Sequence, residues 1–321
     1  MWYCVTMDGP MTYNNPADPH LAQAARQILQ ARQAPRVEVR TFFDEATFTA
    51  THVLHDPATK RGAVIDCVRD FDTAAGRTTT TSADAVIAYL RATGITLDWL
   101  LETHAHADHL SAAPYIQQHC GGRIAIGREI LAVQNVFGKI FNLGDEFARD
   151  GSQFGHLFDD GATFALGSLP AIALHVPGHT PADMAYIIGD AAFAGDTLFM
   201  PDYGTARADF PGGDARQLYR SIRRLLALPD ETRIFLCHDY KAPGRDAFIW
   251  ETTVAAQRAT NIHVHDGISE DTFAAMRTTR DATLGMPRLI LPAVQVNIRA
   301  GQLPPPEDNG TSYLKLPLDL L

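Results

Sequence analysis

The hydrophobic and polar positions of the chain follow two different periods. Between residues 37 and 67, β-branched and aromatic runs are separated by turn residues, which predicts three strands, VEVRTFF, TFTATHVLHD and GAVIDC. The next segment, SADAVIAYLRATG, begins with an N-cap candidate, Ser82, and ends at Gly94, which is typical of a helix. LDWLLET and RIAIG then predict strands, and LSAAPYIQQHCGG between them predicts a helix closed by glycines.

The second half of the chain shows a similar mixture. Residues 163–199 contain four strand-like runs at short spacing, TFALG, LPAIALHV, MAYIIG and AAFAGDTLF. DARQLYRSIRRLLAL predicts an amphipathic helix with leucine and isoleucine on one face and arginine on the other. RIFLCHDY predicts a further strand, residues 246–260 predict a helix, and a proline-rich tail follows.

Strand meanders that alternate with helices in two halves predict an α/β layered sandwich, with helices outside two sheets. We interpret the body of the chain as one domain. Residues 1–36 look peripheral, as an N-terminal extension with a helix at Leu21–Gln33. REILAVQNVFGKIF, in the less regular region 128–160, is compatible with another helix.

Composition and charge narrow the class of protein. The 321 residues are 46% hydrophobic and 20% charged, and the formal charge of −10 argues against nucleic acid or an anionic membrane as main partner. No apolar run approaches the roughly 18 to 20 residues of a membrane span, and no secretory signal is recognisable. The four scattered cysteines, Cys4, Cys67, Cys120 and Cys237, indicate reduced thiols, so we expect a cytoplasmic protein.

A dense histidine cluster carries the strongest chemical signal. The stretch LLETHAHADHLSAAP places His104, His106, Asp108 and His109 on a loop that follows a predicted strand and enters a predicted helix. Imidazole nitrogens and carboxylates are good ligands for zinc, iron or manganese, and one loop can present them to two neighbouring positions. The pattern therefore predicts a metal site.

Three more ligand candidates stand at the ends of predicted strands. His179 lies in LHVPGHTPAD, Asp196 in FAGDTLF and His238 in FLCHDY. Loops at strand ends are where a rigid scaffold usually exposes functional groups, so we expect these side chains to join the histidine cluster. Cys237, beside His238, is interpreted as a buried strand residue rather than a nucleophile.

The segments THAHADH, PGHTP, GDTLF and CHDY, in this order and spacing, resemble the metallo-β-lactamase superfamily. The resemblance covers residues 37–301 and leaves 302–321 as a C-terminal tail. It implies a four-layer αββα sandwich with the metal site at one edge.

Within the superfamily, HADHLSAAPYI, ARADFPGGDA, HDY and VNIRAG resemble the persulfide dioxygenases first and glyoxalase II next. The first resemblance implies one Fe(II) per chain, held by His104, His179 and Asp196, and oxidation of glutathione persulfide or a similar persulfide by O₂ to sulfite. It makes His106, Asp108, His109 and His238 the groups that orient ligands and relay protons. The alternative is a hydrolase with two zinc ions bridged by Asp196, acting on a thioester or lactone.

The resemblance also suggests substrate contacts. Tyr240 matches a tyrosine that contacts glutathione in glyoxalase II, and Arg207 falls where related enzymes place a basic residue near the tripeptide carboxylate. The loop MPDYGTARADF is longer than in the animal-type dioxygenases, so the mouth of the pocket is expected to differ. A homodimer is common in the resembled group.

Overall fold

The computed structural model describes residues 18–32 and 36–320, so Cys4, Gln33 and the polar start of the chain lie outside the described residues. The helices are α1 (Pro19–Ala31), α2 (Thr81–Thr93), α3 (Ala113–Cys120), α4 (Ile130–Ile140), α5 (Ala215–Leu225), α6 (Val254–Thr260), α7 (Glu270–Asp281) and α8 (Ile290–Asn297).

The strands are β1 (Glu38–Asp44), β2 (Thr49–His55), β3 (Arg61–Ile65), β4 (Val68–Asp72), β5 (Arg77–Thr79), β6 (Thr96–Leu101), β7 (Leu110–Ser111), β8 (Arg123–Gly127), β9 (His156–Phe158), β10 (Thr163–Leu166), β11 (Leu169–His175), β12 (Met184–Ile188), β13 (Ala191–Phe193), β14 (Arg233–Phe235) and β15 (Glu251–Thr253). A single 3₁₀ turn, Gly195–Thr197, follows β13.

Two six-stranded sheets form the centre of the molecule. The first has the order β1-β2-β3-β6-β8-β9, and the second has the order β10-β11-β12-β13-β14-β15. In the first sheet β1, β2 and β3 pair antiparallel, whereas β3, β6, β8 and β9 pair parallel. In the second sheet only β13 and β14 pair parallel. The strands β5, β4 and β7 form a small third sheet.

The two sheets pack face to face, and the alternation of side chains along each strand decides which residues lie between them. On β12, Met184, Tyr186 and Ile188 point into the core between the sheets, whereas Ala185 and Ile187 point to the outer face. On β3 the same alternation places Ala63 and Ile65 inside and Val64 outside. Both faces of each central strand are therefore buried, which explains the nearly continuous apolar runs in the sequence.

Helices cover both outer faces. The apolar sides of α2, α3, α4 and α8 pack on the first sheet, and those of α1 and α5 pack on the second. This arrangement confirms the predicted α/β, four-layer αββα sandwich. Helix α1 lies in the segment predicted to be an extension, yet Leu21, Ala25 and Ile28 are buried against the second sheet. The boundary between an N-terminal extension and the domain at residue 36 stays a prediction.

Two local predictions were wrong. Residues 246–260 do not form one helix, because 251–253 pair with β14 as strand β15 and α6 begins only at Val254. The Thr253 hydroxyl accepts from the Ala256 amide and caps that helix. Ser82 is not the N-cap of α2; Thr80 is, and Ser82 instead donates through its hydroxyl and amide to the Asp70 carboxylate.

None of the helices in the described part of the chain is long and apolar enough to cross a bilayer.

Candidate metal centre

The predicted ligands meet at one edge of the sandwich, where strands of both sheets end. Strand β6 ends at Leu101, and the loop that follows carries His104, His106 and His109, all of them buried. The turn between β11 and β12 brings in His179, and the 3₁₀ turn after β13 brings in Asp196. His238 follows β14 and forms a single antiparallel bridge to Thr49 at the start of β2.

One set of three ligands consists of His104, His179 and Asp196, whose ligand atoms lie within 4.8 Å of one another. Asp196 Oδ2 is 3.5 Å from His179 Nε2 and 3.9 Å from His104 Nε2. Two imidazoles and one carboxylate form the facial triad that binds non-haem iron and leaves coordination positions open.

A second set lies beside the first. Its members, His106, Asp108, His109 and His238, again have ligand atoms within 4.8 Å of one another. His238 Nε2 lies 3.3 Å from Asp108 Oδ2 and 3.3 Å from Asp196 Oδ1. The two oxygens of Asp196 therefore face different sets, so this carboxylate can serve either of them.

The outer nitrogens of four rings are held by protein oxygens. The pairs are His104 Nδ1 with Thr103 Oγ1 (3.0 Å), His106 Nε2 with Asp66 Oδ1 (3.0 Å), His179 Nδ1 with the Arg207 carbonyl (2.8 Å) and His238 Nδ1 with the Phe48 carbonyl (3.1 Å). Because the Thr103 hydroxyl donates to Asp66, its oxygen accepts from His104. In the neutral form each inner nitrogen therefore presents a lone pair to the centre.

The inner atoms fit a cation. Five of them are buried without a hydrogen-bond partner: His104 Nε2, His106 Nδ1, His109 Nε2, His238 Nε2 and Asp196 Oδ1. Buried polar atoms are nearly always satisfied, so a convergent group of unpaired acceptors points to a bound ion. The donor set of imidazoles and carboxylates suits iron or zinc equally well.

The pKa shifts of two ligand candidates also support the binding of a cation. Burial, with the neighbouring His106 and His179, holds the pKa of His104 well below its usual value, so the ring stays neutral and able to bind a metal. Burial disfavours the charged form of Asp108, but His238 and His109 outweigh it and hold the pKa of that carboxyl well below its usual range. Asp108, whose side chain is 25% exposed, is therefore an anion beside the ligand histidines.

His106 differs from the other rings because two buried carboxylates lie at its outer nitrogen. His106 Nε2 is 3.0 Å from Asp66 Oδ1 and 3.3 Å from Glu102 Oε2. Burial favours the neutral ring, but Asp66 and Glu102 outweigh it and raise the pKa of His106 well above its ordinary value. A cation at Nδ1 would replace the proton that Nδ1 carries in the charged ring. Ser111 donates to the other oxygen of Glu102 (2.5 Å) and fixes it in place.

A cavity of about 350 Å³ opens beside Asp108, His179 and Asp196. One wall is aromatic and consists of Phe48, Phe199, Tyr203 and Tyr240. Four arginines also line the cavity: Arg207, Arg277, Arg280 and Arg288. Arg280 and Arg288 are exposed and form the rim of the cavity, whereas Arg277 is buried. An apolar wall with basic groups at its rim suits a small organic anion.

The two predicted substrate residues both lie in this cavity. Tyr240 packs against Tyr203 and Phe199, with ring centroids 5.1 and 5.6 Å apart, and burial raises the pKa of its hydroxyl well above the usual value. The Arg207 guanidinium is paired with Asp209 (2.5 and 2.7 Å) and donates to the Gly285 carbonyl. Arg207 thus meets a substrate only by sharing or exchanging that carboxylate, while its backbone carbonyl holds His179.

Sequence reasoning missed several residues of the site. Asp66 follows β3, at a strand end like the residues that were recognised, so its position was a usable signal. Glu102 directly follows β6, so it offered the same strand-end signal. Arg280 and Arg288 belong to the end of α7 and the loop after it, for which the sequence predicted neither a helix nor a role. Cys237 is buried, as predicted.

Comparison with known proteins connects this geometry to a family. The family model of the metallo-beta-lactamase superfamily matches residues 48–238. The chain is 58% identical over 293 residues to a Burkholderia pseudomallei protein named "Probable metallo-hydrolase", with 88% of this chain and 99% of the relative covered. It is 45% identical over 288 residues to "Glyoxylase B2" of Dictyostelium discoideum, with 89% and 98% covered.

A "Beta-lactamase hydrolase-like protein" of Agrobacterium fabrum is 50% identical over 298 residues, which cover 93% of this chain and 68% of that relative. Among solved structures, ETHE1 from Myxococcus xanthus superposes with a TM-score of 0.65 at 28% identity, covering 83% of this chain and 100% of the other. The similarity therefore extends over the sandwich and the site together.

Proposed function

The chain belongs to the metallo-beta-lactamase superfamily, and from this premise we propose that it is an iron-dependent persulfide dioxygenase. Its substrate is glutathione persulfide or a similar low-molecular-weight persulfide, with O₂ as the second substrate. The observation that carries the proposal is the set of His104, His179 and Asp196, whose ligand atoms converge as a group of two imidazoles and one carboxylate. The similarity to ETHE1, over the whole of that chain, supports it.

The overall reaction balances with water as a co-reactant. In RSSH + O₂ + H₂O → RSH + SO₃²⁻ + 2 H⁺, the S–S bond breaks and the terminal sulfur leaves as sulfite. Four electrons pass from sulfur to O₂. His104, His179 and Asp196 would hold a ferrous ion, which would supply the means to bring O₂ and a sulfur ligand together.

The other residues have distinct tasks. Thr103 and the Arg207 carbonyl hold the outer nitrogens of His104 and His179, so both rings present their inner nitrogens. The anionic Asp108 and His238, 3.3 Å apart, can hold or accept a proton beside the reacting sulfur. The aromatic wall of the cavity would pack against the organic part of the persulfide.

The charges around the cavity agree with an anionic substrate. Arg280 and Arg288 line it, and neither has a carboxylate within 4.0 Å among residues 18–32 and 36–320. A tripeptide thiol with free carboxylates would be attracted to such groups on a protein whose formal charge is −10. We assign the carboxylate end of the substrate to this rim and its sulfur end to the triad.

A second candidate function rests on one specific observation. Asp196 faces both ligand sets, so the site can hold two zinc ions with this carboxylate between them, as in the dinuclear hydrolases. The hydrolase names of several relatives favour this reading. The substrate would then be a thioester or a lactone.

Metal content and oxygen consumption separate the two proposals. Protein purified without added metal is expected to contain one iron per chain, and glutathione persulfide is expected to drive O₂ uptake with sulfite formed in equal amount. Two zinc ions per chain, hydrolysis of a glutathione thioester and no O₂ uptake would instead establish the hydrolase.

A further inference from the structure

Asn297, near the end of the C-terminal helix α8, is bonded to the ligand loop with its whole side-chain amide. Its Nδ2 donates to the carbonyls of His106 and His109, both at 2.8 Å, and its Oδ1 accepts from the Ser111 amide at 2.8 Å. The side chain is buried, with 4% exposed. The three bonds span the loop from His106 to Ser111 and enclose Asp108.

Helix α8 is fixed against the loop by independent contacts. Leu110 of the loop packs in a small apolar cluster with Leu289, Ala293 and Val296. Just beyond α8, Gly301 has φ +83°, and a Cβ there would lie 2.9 Å from the Ser111 carbonyl and 2.6 Å from Pro114 Cδ. The backbone after α8 thus approaches the loop too closely for any side chain.

Two of the three triad ligands are held by other groups. His104 is held through Thr103, and His179 through the Arg207 carbonyl, neither of which contacts Asn297 through a hydrogen bond. The bonds of Asn297 therefore act on the part of the loop that carries the second ligand set rather than on the triad.

We propose that Asn297 is a positioning residue, which fixes the backbone of residues 106–111 so that Asp108 and His109 face His238. The inference rests on the proposed function only for its kinetic consequence. Removing the two donated bonds frees this part of the loop, moves Asp108 and His109 and leaves the triad in place. Asn297 lies 191 residues beyond His106 in the chain, and through it helix α8 becomes a component of the metal centre.

The test compares two amide-to-acid changes on the same helix. Asn297→Asp keeps the shape and the acceptor but removes both donors to the loop. Gln295→Glu is the matched control, since Gln295 is equally buried, with 3% exposed, and donates to the Leu291 and Lys315 carbonyls, away from the loop. Both metal-free proteins are compared by amide hydrogen exchange of the peptide covering 103–112 and by titration with zinc alone.

We expect at least tenfold faster exchange of that peptide in N297D and wild-type exchange in Q295E. The affinity of the second set for zinc is expected to fall at least tenfold in N297D. The affinity of the triad for zinc is expected to stay within threefold of wild type. In the iron-loaded protein, kcat is expected to fall at least tenfold with KM within twofold. If N297D does not fold, Asn297→Ala, which also lacks both donors, replaces it.

Unchanged exchange in N297D, or an equal increase in Q295E, would overturn the proposal. Because exchange is measured without metal or substrate, this result is independent of the proposed reaction. A wild-type protein that does not consume O₂ would contradict the dioxygenase and leave the exchange comparison valid.

Discussion

Four of the five imidazoles in the metal centre are held by an oxygen at the outer nitrogen. His104 donates to Thr103, which donates in turn to Asp66, and Asp66 also accepts from His106. One buried carboxylate therefore sets the orientation and the tautomer of two ligands on the same loop. An outer partner of this kind usually changes metal affinity or activity by roughly 10- to 100-fold when it is removed.

His179 offers a direct test of the ligand assignment. His179→Ala is expected to remove bound iron and turnover together, because the triad then retains only two of its protein ligands. The control is His119→Ala, which changes an exposed histidine on α3. Iron per chain by elemental analysis and O₂ uptake decide the question, and full iron content in H179A would show that the ligands are assigned wrongly.

A buried histidine outside the metal centre makes folding stability depend on pH. His52 lies between the sheets, where its Nε2 donates to the Leu236 carbonyl (3.0 Å) and its Nδ1 accepts from Thr41 (2.9 Å). Burial lowers the pKa of His52 to about 4. Between pH 6.5 and about 4 the unfolded chain binds a proton that the folded protein excludes, so stability falls as the pH falls.

The contribution of His52 can be isolated with His52→Gln. As the pH is lowered from 6.5 towards 4, wild type is expected to lose up to about 1.4 kcal/mol per pH unit relative to H52Q. Urea unfolding at pH 7.5, 6.0 and 5.0 measures both proteins. The difference between them, rather than either curve alone, is the test, because His263 also has a pKa lowered to about 4. The prediction would be contradicted if the free energy of unfolding depended on pH in the same way in both proteins.

At the scale of secondary-structure elements, the site depends on turns that are packed against helices. The turn carrying His179 is closed by Asp183, whose carboxylate accepts from the amide and the hydroxyl of Thr180 (2.7 and 2.5 Å). Gly178 precedes His179, and its carbonyl accepts from the Asp214 amide at the start of α5. The ligand is thus placed by the fit between a turn and a helix.

Gly178→Ala tests this fit. Gly178 has φ +144°, and a Cβ there would collide with the backbone of Leu218 on α5. We expect a loss of about 1 to 2 kcal/mol for the backbone conformation and about 1 to 3 kcal/mol for the overlap, together with weaker metal binding. Gly244→Ala is the control, since Gly244 has φ +90° but open space around its Cα. Equal loss of stability in the two variants, by chemical denaturation, would refute the packing argument.

The sequence predicted elements well where hydrophobic period and turn residues agree. The strands at the centre of both sheets and helix α5 were recognised because their buried positions recur at regular spacing. Strand β15 was taken for helix, since three residues carry too little periodicity and their pairing with β14 is decided by the fold. The seven ligand candidates stand at strand ends or in the loop after β6 and could be found. The contacts of Asn297 could not, because its partners lie 186 to 191 residues away in the chain.

At the scale of the whole molecule, the charge at the rim of the cavity has the opposite sign to the net charge of the chain. The formal charge is −10, yet Arg280 and Arg288 stand at the rim of the cavity. An anionic substrate is therefore repelled at long range and attracted at the rim, and salt should weaken both effects. The rim rather than the net charge is expected to govern substrate affinity.

Reversing the rim charges tests this expectation. In Arg280→Glu/Arg288→Glu we expect KM for glutathione persulfide to rise at least tenfold at low salt, with kcat within twofold, because neither residue contacts the ligand sets. The control, Arg26→Glu/Arg91→Glu, changes the net charge by the same amount at exposed positions on α1 and α2, away from the cavity. Its KM is expected to stay within twofold of wild type. If both double variants raise KM equally, the overall field governs binding, and the assignment of the carboxylate end to this rim fails. If only the rim variant responds and the difference shrinks as salt is added, the interaction is local and electrostatic.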